Sequence, residues 1–124
     1  MAIQLTTQAK NAALDSIVDL IDTGSGSSAV VKILTEDDSE LATLPLSNPA
    51  FGAAYNGVVT ANFIVGDTTI NEGTASTFKV YSIGGAEILS GTVTAVSGGG
   101  DLQLTTTNLL VGDSVSVSSF SLTI

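Results

Sequence analysis

Apolar residues recur with a helical period only near the start of the chain. Leu14, Ile17, Val18 and Ile21 fall at i, i+3, i+4 and i+7, one stripe down a helix. Ala9, Ala12 and Ala13 widen the stripe and favour helix, so the spacing predicts a helix over about 7–22. Thr6 or Thr7 can serve as its N-cap, and Gly24 supplies a left-handed C′ stop. Lys10, Asn11, Asp15, Asp19 and Asp22 fall mostly on the other side. Asp19 and Asp22 oppose the helix dipole, a cost of about 0.3–1 kcal/mol each that burial of the stripe outweighs.

From residue 29 the period changes to two. Strands are expected at 29–34, 41–46, 58–65, 77–83, 87–96, 102–104 and 114–124. Pro45 limits the second of these to a sheet edge. Gly84-Gly85 reads as a hairpin turn, and Gly98-Gly99-Gly100 as a flexible loop. In the last strand Val115 and Val117 alternate with serines, then Phe120, Leu122 and Ile124 continue one residue out of phase. A β-bulge at Ser118-Ser119 would restore the phase. An apolar last residue, Ile124, implies an end tied into the sheet or an interface. The fold class is mainly β: a small antiparallel β-sandwich or barrel with one N-terminal α-helix. One domain over 1–124 is expected, with the helix at about 7–22 and the β-domain at about 29–124.

Composition narrows the chemistry. The chain has no His, no Cys and no Trp. A Ser-His-Asp triad, a Cys-His dyad and an ordinary zinc site are therefore impossible. Twelve Asp or Glu stand against three Lys, a formal net charge of −9 that argues against nucleic acid and against an anionic membrane. No apolar run approaches the roughly 20 residues that span a bilayer, and the first residues show no secretory signal. A quarter of the residues are Ser or Thr and only 12% are charged, where about 25% is usual. Such a surface suits packing against neighbours, and equally a plain soluble β-domain.

The concentrated acids at 36–40 lack the alternating spacing of a calcium loop and read as a solvated loop. The run 98–101 lacks the Lys-Ser/Thr and following helix of a phosphate cradle. Paired carboxylates could in principle cut glycosides, but six aromatics and no Trp give little to stack a sugar. The segment 48–57 sets Phe51 and Tyr55 among small residues. Phe51 reads as a plug of the core, with a contact anchor as the alternative; Tyr55 leans towards a contact.

Three stretches together resemble small virion structural proteins encoded by tailed bacteriophages and prophages. They are Met1-Ala2-Ile3-Gln4-Leu5-Thr6-Thr7 leading to a helix ending Ile21-Asp22-Thr23-Gly24-Ser25-Gly26; Leu46-Ser47-Asn48-Pro49-Ala50-Phe51-Gly52-Ala53-Ala54-Tyr55-Asn56-Gly57; and Asp101-Leu102-Gln103-Leu104 through Gly112-Asp113-Ser114-Val115-Ser116-Val117-Ser118-Ser119-Phe120. Tyr55-Asn56 departs from the small residues expected there. The resemblance implies a capsid decoration (cement) protein on the head exterior, made in the host cytoplasm. It implies no enzyme activity and no cofactor. The implied partners are the major capsid protein and further copies of the chain as a homotrimer, with neither nucleic acid nor membrane. The expected contact residues are Ile3, Leu5, Leu44, Pro45, Leu46, Phe51 and Tyr55. Acids should face outward, with the lysines nearer to partners. The alternative is a tail component: a tube or connector subunit using 77–96 as a long hairpin, or a fibre domain.

Overall fold

The computed structural model describes residues 3–26, 28–64, 66–69 and 71–123. The fold is mainly β, with a single N-terminal α-helix. Helix α1 runs Thr7–Ile21, and the Thr6 hydroxyl accepts from Ala9 N–H at 3.1 Å as N-cap. Leu14, Val18 and Ile21 are buried with Ile17 packed beside them, as the periodicity predicts. Asp22 is the C-cap, so the left-handed glycine, Gly24, falls at C″ rather than C′. The last turn instead docks on a hairpin: Ile83 N–H donates to Ile21 O (3.1 Å) and Gly84 N–H to Thr23 O (3.0 Å). These bonds satisfy carbonyls that a helix end would otherwise leave open.

The strands are β1 (Val30–Leu34), β2 (Glu40–Pro45), β3 (Val58–Thr60), β4 (Asp67–Thr68), β5 (Gly73–Thr74), β6 (Thr77–Tyr81), β7 (Glu87–Ala95), β8 (Leu102–Leu104), β9 (Asn108–Leu109), β10 (Ser114–Val115) and β11 (Val117–Thr123). Seven form one sheet in the order β2-β1-β6-β7-β8-β11-β3; β10 pairs with β4, and β5 with β9, as two short ribbons. The Pro-limited β2 is an edge strand, as expected. The third strand is shorter than 58–65: after Thr60 only Ala61 bridges, to Phe51. Val65 and Ile124 lie outside the described residues.

Two features of the sheet bear on the sequence reading. Between Val117 and Ser119 the pairing of β11 with β8 slips by one residue, the bulge that the phase change required. Val117 and Phe120, on either side of the bulge, both pack into the core, while Val115 is buried from the separate strand β10. The pairing is not wholly antiparallel, however. β8 lies parallel to β7, with Val93 opposite Leu102 and Ala95 opposite Leu104.

The connection from β7 to β8 is only 96–101, far shorter than the dozen or more residues usual for a parallel pair. Gly98–Gly100 make it possible, and they are not a loose loop. A Cβ on Gly98 would lie 2.7 Å from Thr94 Cβ, and one on Gly100 would lie 2.9 Å from Thr92 O. Gly100 N–H donates to Thr94 Oγ1 (3.0 Å), and Gly98 N–H to Ala95 O (2.9 Å). The glycines let the chain double back flat against its own strand.

One contiguous core runs from Leu14 to Phe120. Its centre is an aromatic chain: Phe120 meets Phe51 (centroids 5.3 Å) and Phe78 (5.0 Å), both edge-on. Phe78 on β6 and Phe120 on β11 are three strand steps apart, roughly 14 Å along a flat sheet. Their contact follows from curling of the sheet around its inner face, and from Gly91. That glycine stands opposite Phe78 on β7 and leaves room for the ring.

Candidate contact surface

The polar side of α1 is a docking edge for the segment 50–57. Asn11, Asp15 and Asp22, spaced four and seven apart, share one side of the helix. Each accepts a main-chain N–H from that segment. Gly57 donates to Asn11 Oδ1 (2.9 Å), Ala54 to Asp15 Oδ1 (3.1 Å) and Ala50 to Asp22 Oδ1 (3.1 Å). Asp22 is therefore not an unrewarded opponent of the helix dipole; its carboxylate satisfies a half-buried amide.

The segment itself folds back at Asn56-Gly57. Both have positive φ (52° and 75°), and Tyr55 and Val58 exchange two main-chain hydrogen bonds of 2.9 Å. This is a two-residue hairpin of the I′ kind. It lifts Tyr55 into solvent, 74% exposed. Asn11 is one turn into the helix, about 6 Å along its axis from Thr7. The hairpin is thus tied to the N-terminal half of α1, the half that the arm 3–6 leads into. Ile3 in that arm is 79% exposed and Leu5 is also exposed.

The seven expected contact residues thus divide. Ile3, Leu5 and Tyr55 are exposed, the first two in the segment before α1 and Tyr55 on the hairpin that Asn11 holds. Pro45 is half-buried at the end of the edge strand. Leu44, Leu46 and Phe51 are core residues: Leu44 has no exposed area, Leu46 packs in the main cluster, and Phe51 lies against Phe120. Their side chains are filled with partners from within the chain and offer nothing to a second protein. Of the arm, Ala2 lies outside the described residues.

Among the described residues, the exposed large apolar side chains that the sequence did not single out are Leu20, Phe63, Val96, Leu110 and Val111, the last two and Phe63 being the most exposed. Phe63 stands where β3 and β11 part, beside a groove of about 270 Å³ between 60–64 and 117–120. Ser47 Oγ–H donates to Phe63 O, and Asn62 Nδ2 to Pro49 O (3.0 Å), which tie down that turn. Leu110 and Val111 form the tip of a turn held by Thr69. Its N–H donates to Asp113 O (2.9 Å), its hydroxyl donates to Leu110 O, and it accepts from Asp113 N–H (3.1 Å).

Glu36, Asp37 and Asp38 are exposed, as a solvated loop requires. Glu40 turns back to Lys32 (3.4 Å), and Glu87 meets Lys79 (3.6 Å). Lys32 and Lys79 stand opposite each other on β1 and β6, so each of these like charges is balanced by its own acid. Two of the three lysines are thus matched within the chain. Lys10, in the first turns of α1, has no ion-pair partner among the described residues. Among those residues no group of three or more acids converges as a metal site would need, and no helix is long and apolar enough to cross a membrane.

No protein-family model, curated protein or solved structure matches the chain.

Proposed function

We propose that this chain is a structural protein of a tailed-phage or prophage virion, and that its role is capsid decoration: it binds the outer head and stabilises contacts between capsomers. The resemblance of the N-terminal, 46–57 and C-terminal stretches supplies the class. The observation that carries the contact role is the exposure of Tyr55 on a hairpin tied to Asn11 in α1, with Ile3 and Leu5 exposed in the segment leading into that helix. Single exposed apolar side chains are ordinary. An exposed aromatic on a tight hairpin is an anchor of the kind that dominates interface energies. Binding to the assembled shell, and not to its open form, would stabilise the shell by mass action. The major capsid protein and further copies of this chain, as a homotrimer, are the proposed partners.

The tube alternative needs 77–96 free to pair between rings. In this fold β6 is flanked by β1 and β7, and β7 by β6 and β8, so that hairpin is already spent inside its own sheet. The deciding experiment is location: labelling of the protein in intact particles should mark the head. Signal confined to the tail would refute decoration, and so would a ring of six or twelve by native mass spectrometry. Heads lacking the protein should burst at lower temperature or lower salt than complete heads.

A further inference from the structure

The hairpin at Asn56-Gly57 carries chemistry independent of any partner. We propose that Asn56 is a site of spontaneous, non-enzymatic conversion to aspartate and isoaspartate, and that Asn11 on α1 sets its rate.

The reaction needs an asparagine whose amide carbon can be reached by the main-chain nitrogen of the next residue. Of the six asparagines only Asn56 precedes glycine; the others precede Ala12, Pro49, Phe63, Glu72 and Leu109. Glycine leaves its nitrogen unshielded, and proline has no N–H to give. Asn56 is exposed, and its side-chain amide makes no hydrogen bond with the described residues. The Gly57 nitrogen attacks Asn56 Cγ. The N–Cγ bond forms as the Gly57 proton passes to water; the Cγ–Nδ2 bond breaks, and Nδ2 takes up a proton and leaves as ammonia. Water then opens the cyclic imide at one of its two carbonyls. Cleavage at Cγ gives aspartate, and cleavage at the main-chain carbonyl gives isoaspartate. Nothing is oxidised or reduced.

What restrains the reaction is the joint between helix and hairpin. The Gly57 N–H is buried and donates to Asn11 Oδ1 at 2.9 Å, so the nucleophile is engaged in the closed fold. The paired Tyr55 and Val58 hold the turn at its positive φ values. Conversion therefore proceeds from a locally opened hairpin, and the hydrogen bond to Asn11 sets how often that state is visited. Either product adds a carboxylate beside Tyr55, and isoaspartate also lengthens the main chain inside a two-residue turn.

The test is peptide mapping by mass spectrometry of the full-length protein aged in mildly alkaline buffer, with isoaspartate quantified at each asparagine. Asn11→Ala should convert at Asn56 about five-fold faster than the unaltered chain, the factor for losing one net hydrogen bond. Asn11→Asp retains the acceptor oxygen and should convert at close to the unaltered rate. Leu104→Ala weakens the core on β8, two strands from β3 in the sheet, and controls for general loss of stability. Absence of conversion at Asn56 in the urea-denatured chain would overturn the site. Equal rates in Asn11→Ala and the unaltered chain, or equal acceleration in Leu104→Ala at matched stability, would overturn the role of Asn11.

Discussion

Gly24 lies so close to Gly84 that a Cβ added to Gly24 would stand 2.3 Å from the Gly84 nitrogen. The reverse is not true: a Cβ on Gly84 would meet Gly24 Cα at 3.4 Å, an ordinary contact. Gly24 also has φ +117°, where a side chain is strained in any case. Gly24→Ala should therefore cost at least about 2 kcal/mol, from steric conflict added to backbone strain. Gly84→Ala should cost well under half of that. Urea unfolding of the two variants checks the asymmetry; equal losses would mean the helix end is not seated on the hairpin.

Phe78 and Gly91 form the second tight pair. A Cβ on Gly91 would fall 2.7 Å from two atoms of the Phe78 ring. Gly91→Ala should destabilise by about 1–3 kcal/mol through overpacking. A smaller side chain at Phe78 should relieve part of this. The Gly91→Ala, Phe78→Leu double variant should thus lose less than the sum of the single changes, which a double-mutant cycle measures.

Asp22 and Asp19 look alike in sequence and should behave differently. Asp22 accepts from Ala50 N–H, whereas Asp19 is exposed and makes no hydrogen bond with the described residues. Asp22→Ala should lose roughly 1–2 kcal/mol of stability. Asp19→Ala should be neutral, or gain a few tenths of a kcal/mol by removing an acid near the helix C-terminus. Thermal unfolding at fixed pH separates the two.

The expected contact residues should also fall into two groups. Tyr55→Ala and the Ile3→Ser, Leu5→Ser pair should leave stability within about 0.5 kcal/mol, as exposed substitutions do. They should nevertheless weaken binding to heads stripped of the protein, measured by cosedimentation. Leu44→Ala and Phe51→Ala should instead cost about 2–5 kcal/mol in folding, because each leaves a cavity. Undiminished head binding by Tyr55→Ala would remove the hairpin from the proposed surface.

Much of the local structure was legible because it depends on near neighbours in the chain. The stripe Leu14–Ile21 specifies a helix by spacing alone, and Pro45 confines its strand to an edge. The phase break at Ser118-Ser119 demands a bulge whatever lies opposite. The Asn56-Gly57 turn was equally open to reading, since that dipeptide between extended segments is a strong hairpin signal. The run of small residues before it reads as loop and masks the turn. Phe51 and Tyr55 already read apart in the sequence, as core plug and contact, but Leu44 and Leu46 could not be sorted from Ile3 and Leu5 by pattern. An apolar side chain on an edge strand or a loop is core or surface according to what packs over it, and that comes from distant segments.

The sequence by itself determined the inventory: a helix with one apolar face, strands alternating in a mainly β chain, a bulge, and no imidazole or thiol. Those properties follow from periodicity and composition, which need no knowledge of partners. Only the tertiary structure decided who meets whom. It paired β8 parallel to β7 through a glycine turn folded onto Thr94, brought Gly24 against Gly84, and gave Asn11, Asp15 and Asp22 the amides of 50–57 to hold. The first sets two neighbouring segments side by side running the same way, and the others bring together groups 28 to 60 residues apart. Hydrophobic pattern does not encode such approaches, because the hydrogen bonds and the absent Cβ atoms that permit them leave no periodic trace.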